Sequence, residues 1–282
     1  MSAVYQKIAV NLEVKDNTEL SFPFSDFGFL YGYGLFESIR VQNGKPILLQ
    51  EHIARLKRGA IILDIPLEYD AEKISDVVTK LVNENNVEDA ILNVYLTPGD
   101  RGPDPAKLTI SNPFFLMVLR QWPSYDKNKK VTLDVRQESF QKTQLDRFKT
   151  LSWMKNVLEK NLASTDHVLL YDREQRVLEA ANANVFFVKG KTLITPKSNV
   201  VLNGITRQFL IDHARDFDSE VIMQDVFLDE LVNFDEIFLT NSIRGVIQIG
   251  ETKTFPNLSS KSVTKSIQDK YFQLTTPSVY SH

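Results

Sequence analysis

The sequence predicts an α+β fold in two domains. Three observations carry that expectation. Strand-like and helix-like stretches are mixed without the regular alternation that a doubly wound sheet or barrel requires, no segment repeats at a fixed period, and the polar, proline-containing stretch 121–130 separates two apolar runs as a domain connector does.

Taken in order, Ile8-Ala9-Val10-Asn11-Leu12-Glu13-Val14 alternates as a strand, a glycine-rich stretch runs from Gly28 to Gly34, and Leu35-Phe36-Glu37-Ser38-Ile39-Arg40-Val41 reads as a strand again. Asn43-Gly44 suggests a hairpin turn, because both residues tolerate positive φ. Ile53, Leu56 and Ala60 fall at helical spacing, and a second amphipathic segment covers 71–82. Strands at 90–97 and 113–120 precede the connector. Beyond it the patterns give a strand at 131–136, a helix at 151–163, strands at 168–171 and 185–188, and a helix at 206–217.

Composition excludes several function classes. The chain has 282 residues, 43% of them hydrophobic, which suffices for a core without covalent staples. It has no cysteine, which rules out disulfides, thiolate zinc sites, iron–sulfur clusters and a cysteine nucleophile, and makes a cytoplasmic protein the expectation. Thirty-three Lys+Arg against 36 Asp+Glu give a formal charge of −3, so there is no broad basic field for a nucleic acid. No apolar run approaches the roughly 20 residues of a membrane span. The start, Met1-Ser2-Ala3-Val4-Tyr5-Gln6-Lys7, lacks the charged and apolar regions of a secretory signal and is expected to stay on the protein.

The local motifs are individually modest. Gly32-Tyr33-Gly34-Leu35-Phe36-Glu37 begins like a dinucleotide fingerprint, but Glu37 occupies the third glycine position and a strand follows where a helix should start. Those glycines serve a tight turn or a close backbone approach. His52, His167, His213 and His282 lack metal-ligand spacing and are expected in packing or surface roles; no metal is expected. No serine has a nucleophile-elbow context. Leu202-Asn203-Gly204-Ile205-Thr206-Arg207 leads from a glycine turn into a helix, and is either an anion site or a helix capped by threonine. Lys149, among apolar neighbours, is either a nucleophilic amine or a solvated lysine at a helix start; Glu179 is equally open.

Together, however, these segments resemble the class IV pyridoxal-phosphate enzymes of fold type IV, the group of branched-chain and D-amino-acid aminotransferases and aminodeoxychorismate lyase. The likeness spans residues 20 to 250. It runs from Asp26-Phe27-Gly28-Phe29-Leu30-Tyr31-Gly32-Tyr33-Gly34-Leu35-Phe36-Glu37 through Glu51-His52-Ile53-Ala54-Arg55-Leu56, Lys149-Thr150-Leu151, Val177-Leu178-Glu179-Ala180-Ala181-Asn182-Ala183-Asn184 and Gly204-Ile205-Thr206-Arg207 to Phe238-Leu239-Thr240-Asn241-Ser242.

The resemblance implies a small N-terminal α/β domain (1–121), a connector (122–130) and a larger C-terminal pseudo-barrel domain that binds pyridoxal 5'-phosphate (131–282). It implies that Lys149 carries the cofactor as a Schiff base and moves the substrate proton, that Glu179 pairs with the pyridine nitrogen, and that Arg55, Ile205, Thr206, Asn241 and Ser242 hold the phosphate. Tyr31, Tyr95 and Arg101 become the substrate residues. Two departures stand out: Thr97 and Met154 replace an arginine and a tyrosine of the branched-chain enzymes, and Tyr33 replaces the usual aspartate of a Gly-Asp-Gly run. The expected activity is transfer of an amino group between a small amino acid and a 2-oxo acid, by a homodimer. The alternatives are aminodeoxychorismate lyase and a non-catalytic member of the fold.

Overall fold

Alternating apolar residues build the first sheet in the computed structural model, which describes residues 4–100, 112–122, 126–197 and 199–276. These residues divide into two units, the first formed by 4–100, 112–122, 148–153 and 275–276, the second by 126–147 and 154–274.

The first unit carries six strands, β1 (Val4–Val10), β2 (Glu13–Asp16), β3 (Leu35–Gln42), β4 (Lys45–Pro46), β5 (Ala90–Thr97) and β6 (Phe114–Gln121), in the order β2-β1-β6-β5-β3-β4 and antiparallel throughout. Asn43 and Gly44, at φ 51° and 70°, make the tight turn between β3 and β4. Besides the short α1 (Phe27–Tyr31), helices α2 (Leu49–Ile62) and α3 (Ala71–Glu84) cover the sheet. Ile53, Leu56, Ile74, Val78 and Leu81 from these two helices share one core with Leu35, Ile39 and Val41 of β3. The period of two then forces Glu37 onto the same buried face.

Residues 148–151 add an extended edge to β3: the Phe36 N–H donates to the Lys149 carbonyl and the Leu151 N–H to that of Gly34, both at 2.9 Å. Gly34 is required there, since a Cβ would lie 2.6 Å from the Leu96 carbonyl. The helix expected from residue 151 therefore begins only at α4 (Met154–Asn161), because the residues before it spend their backbone bonds on β3.

The second unit holds eight strands, β7 (Val131–Gln137), β8 (His167–Tyr171), β9 (Val177–Ala180), β10 (Asn184–Lys189), β11 (Thr192–Pro196), β12 (Glu220–Gln224), β13 (Glu236–Asn241) and β14 (Gly245–Thr252), in the order β12-β11-β10-β13-β14-β7-β8-β9. Pairs β11/β12, β14/β7 and β7/β8 are parallel, so the sheet is mixed. The Ala180–Ala183 turn joins β9 back to β10 by reciprocal backbone bonds of 2.8 and 3.4 Å. This curls β10, β13, β14, β7, β8 and β9 into a closed ring, the pseudo-barrel that the resemblance implies. Helix α5 (Ile205–Asp212) and α6 (Ser262–Thr275) supply Leu210, Ile267 and Tyr271 to a core with Phe186, Val188 and Phe238. The helix expected over 206–217 is split after Asp212, continuing as a tighter turn at Ala214–Phe217.

Phe186 is fully buried and stacks on Phe238 at 5.1 Å between centroids. Phe186→Ala should lower the unfolding free energy by about 3–5 kcal/mol, read as a reduced urea midpoint at unchanged slope.

Candidate active site

The buried carboxylate on β3 organises the residues of the first unit. Glu37 accepts from Arg55 Nε at 2.8 Å and Nη2 at 2.6 Å, and from His52 Nδ1 at 2.6 Å, both partners lying on α2. Burial pushes its carboxyl up, but the Arg55 and His52 charges and hydrogen bonds outweigh this and bring it down to about 2. His52 is lowered as well, by burial against the pull of Glu37, and its Nδ1 faces the carboxylate. His52, expected in a packing or surface role, is buried on α2 and hydrogen-bonded to the Glu37–Arg55 ion pair. His167 is likewise buried, paired with Asn182 at 3.1 Å, and burial together with the Arg244 charge lowers it to about 4. His282 lies outside the described residues.

Lys149 lines one small cavity with Phe36, Glu37, Arg55 and Phe148. Its ammonium lies 4.3 Å from the Phe36 ring centroid and 4.4 Å from that of Trp153, within cation–π range of both, on a half-buried side chain. Tyr95 stacks behind Phe36 at 6.5 Å. Tyr31, in α1, is 58% exposed and packs on Phe27. Tyr33 turns to the core, its hydroxyl donating to the Leu63 carbonyl at 2.5 Å. Thr97 is buried and donates to Asp26 Oδ2 at 2.5 Å. Arg101 lies outside the described residues.

In the second unit, Glu179 sits on β9 just before the closing turn, 4% exposed. Lys142 Nζ donates to Oε1 at 2.6 Å, Asn184 Nδ2 to Oε2 at 3.0 Å, and the Leu202 N–H reaches both oxygens at 3.2 and 3.3 Å. Burial raises the Glu179 carboxyl, with Lys142 the strongest force against it. Asn184 also donates to the Leu202 carbonyl at 2.8 Å, tying the strand that follows the turn to the loop entering α5. Gly204 begins α5 with no side-chain cap, and a Cβ there would fall 1.9 Å from Asn184 Oδ1. The threonine-capped reading is thus corrected: Thr206 lies inside the first turn, buried, with its hydroxyl 3.5 Å from that of Tyr271. The Ile205 and Thr206 N–H groups belong to this uncapped first turn.

Across the sheet Asn184 pairs with Thr240, which brings Asn241 beside the same turn, its Nδ2 3.5 Å from the Asn182 carbonyl. Its Oδ1 accepts from the Ile243 and Arg244 N–H groups at 3.2 and 2.8 Å, fixing the turn that holds Ser242. Glu179, Ile205, Thr206, Asn241 and Ser242 therefore lie on three connected segments of one unit, while Lys149 and Arg55 share a cavity in the other. Sequence reasoning missed Glu37, Lys142 and Asn184 as partners. Only Glu37 left a readable signal, a charge at the inward parity of an otherwise apolar strand face. Among the described residues no group of three or more His, Asp or Glu could hold a metal ion, and no helix is long and apolar enough to cross a membrane.

A family model described as amino-transferase class IV matches residues 34–252. A putative branched-chain-amino-acid aminotransferase of Methanocaldococcus jannaschii is 30% identical over 281 residues, covering 96% of this chain and 96% of its own length. A D-alanine aminotransferase of Listeria monocytogenes is 28% identical over 243 residues, covering 84% of each. The fold matches that of the branched-chain aminotransferase of the thermophilic archaeon Thermoproteus uzoniensis, solved with norvaline, at a TM-score of 0.84 and 23% identity over 96% of this chain and 95% of that one.

Glu37→Gln leaves Arg55 buried without its counter-charge and should cost about 3–5 kcal/mol of stability. Because the folded carboxyl is depressed from 4.5 to about 2, its contribution is complete above pH 4.5 and is lost as pH falls toward 2. Wild-type unfolding midpoints should drop through that window, and those of Glu37→Gln should drop less.

Proposed function

The chain belongs to the class IV amino-transferases, and we propose that it moves an amino group between a small amino acid and a 2-oxo acid, using pyridoxal 5'-phosphate attached to Lys149. The observation that carries this reading is Glu179, a carboxylate kept out of water yet supplied with donors on both oxygens. A protein bears that cost where the charge has a task, and pairing with a pyridine nitrogen is such a task.

The residues present fit the cofactor. Gly204 opens α5 without a side-chain cap, so the N–H groups of Ile205 and Thr206 in its first turn stand available, and this is the chemistry a phosphate requires. Arg55, its guanidinium plane fixed by Glu37, adds charge-assisted hydrogen bonds to the phosphate, with Asn241 and Ser242 beside the helix start. Bound, the cofactor supplies a ring that takes up the electron pair left when the substrate Cα–H bond breaks. Lys149 removes the proton at Cα and holds it for return. Glu179 keeps a proton on the ring nitrogen by presenting negative charge to it.

For the substrate, Tyr31 and Tyr95 border the amino acid and Arg101 grips its carboxylate. Thr97 supports that choice, since its hydroxyl is committed to Asp26 and offers no cation. The active species is a cytoplasmic homodimer, with residues 1–121 as the N-terminal α/β domain and 131–282 as the cofactor-binding domain, of which 148–153 pack with the first unit. Apolar side chains left exposed in the first unit, Phe24 at 79% and Phe29 at 67%, support self-association.

The test is the visible absorbance of the purified chain with pyridoxal phosphate during additions of D-alanine, D-glutamate, L-leucine, L-glutamate and aminodeoxychorismate. Conversion to the pyridoxamine form is expected and names the amino donor. Pyruvate released from aminodeoxychorismate without that conversion makes the chain a lyase instead. Lys149→Ala should lose both the cofactor's bound spectrum and turnover; full turnover in this variant removes Lys149 from the mechanism.

A further inference from the structure

Lys142 belongs to no motif, yet it is deeply placed. Its side chain is 7% exposed and its ammonium lies 2.6 Å from Glu179 Oε1. The segment delivering it is braced. Glu159, itself buried, accepts from the Ser139 N–H at 2.5 Å and the Phe140 N–H at 3.2 Å. Lys155 Nζ holds the Gln141 carbonyl at 3.2 Å, and Glu138 accepts from the Lys142 N–H at 3.2 Å. The backbone thus places the ammonium before any ligand arrives.

A buried ion pair is a poor device for stability alone, since an apolar pair of similar volume does as well or better. What it achieves is to keep a carboxylate charged where burial would protonate it. An ionised carboxylate has about four acceptor directions. Lys142 donates to Oε1 and Asn184 to Oε2, with the Leu202 N–H shared between the two oxygens, and of these three donors Lys142 alone carries a charge.

We propose that Lys142 is the positioning residue for Glu179: it holds Oε1, keeps the carboxylate ionised before the cofactor binds, and so leaves the pair ready to receive a pyridinium N–H. This rests on the cofactor reading above and assigns a residue to it. The other charges acting on the pair are few. Arg207 on α5 feels the Glu179 charge, Asp146 acts on both members, and Glu138 acts on Lys142. Arg207 is turned to Thr195 Oγ1 and the Pro196 carbonyl, each at 3.1 Å, so Lys142 is the cation bonded to the carboxylate.

The sign of the effect follows. Burial drives the Glu179 carboxyl up and Lys142 opposes it. Removing the ammonium moves the protonation of Glu179 to higher pH, and function is lost from the acid side.

The experiment compares wild type with Lys142→Met and Lys142→Arg, each as holoenzyme. Two quantities are read: the pH profile of kcat/KM with the best amino donor, and the dissociation constant of pyridoxal phosphate from fluorescence titration of the cofactor-free chain at pH 6 and pH 8. In Lys142→Met the acid limb should move up by at least one pH unit, and cofactor affinity should fall about tenfold more at pH 6 than at pH 8. Lys142→Arg, which keeps the charge, should restore the limb toward wild type. Lys142→Gln carries the same comparison where the methionine variant does not fold.

A neutral variant with the wild-type limb and affinity ratio overturns the proposal. So does an equal loss at every pH, the mark of a merely structural lysine. In both cases the cofactor reading stands, because wild type still binds. A wild-type chain that fails to take up pyridoxal phosphate overturns both.

Discussion

A carboxylate removed from water must be surrounded by donors, and this chain meets that demand repeatedly with segments far apart in sequence. Burying an isolated charge costs far more than any single contact returns. Glu37 draws in His52 and Arg55; Glu159 draws in Arg136 and the backbone of 139–140; Glu179 draws in Lys142, Asn184 and Leu202; Glu236 takes the N–H groups of Lys261, Val263 and Thr264. Asp26 does the same with Gly28, Phe29 and Thr97. Each cluster is a junction where irregular chain is fixed to a strand or helix. The cores supply the bulk of the folding free energy, but these junctions decide where the loops go.

Two of them are linked in series. Glu159 holds the backbone of 139–140, and that segment places Lys142 on Glu179. Glu179 in turn shares Asn184 with the loop that opens α5. A proton added at one point would loosen several segments together, because buried polar networks strengthen and fail as units. The same logic governs Arg55, whose guanidinium plane is fixed by the bidentate grip of Glu37.

Much of this organisation was legible from the residues. Period-two alternation located the long strands, Asn43-Gly44 marked its turn, and the ordered motifs pointed to Lys149, Glu179 and the start of α5 before any geometry was known. What stayed hidden has a common cause. The helix pattern at 151–153 gives way to pairing with Gly34 and Phe36, over a hundred residues earlier. Thr206 looked like a cap, but Asn184 occupies the space that makes position 204 glycine and the true N-cap. Lys142 is an ordinary polar lysine until β9 is laid beside it. Such contacts join positions of wide sequence separation and leave no periodic trace, whereas Glu37 could be suspected from parity alone.

The edge formed by 148–151 has a consequence for how the chain is made. The first unit pairs β1 with β6 and then takes its last extended segment from beyond residue 147, after the second unit has already begun with β7. Loop-closure entropy makes such distant pairings slow to form. During synthesis the sheet of the first unit can assemble from residues 4–122, but Gly34 and Phe36 keep an unfilled edge until more than half of the chain has left the ribosome. Lys149 thus joins the first unit only after the sheet that receives it has been made.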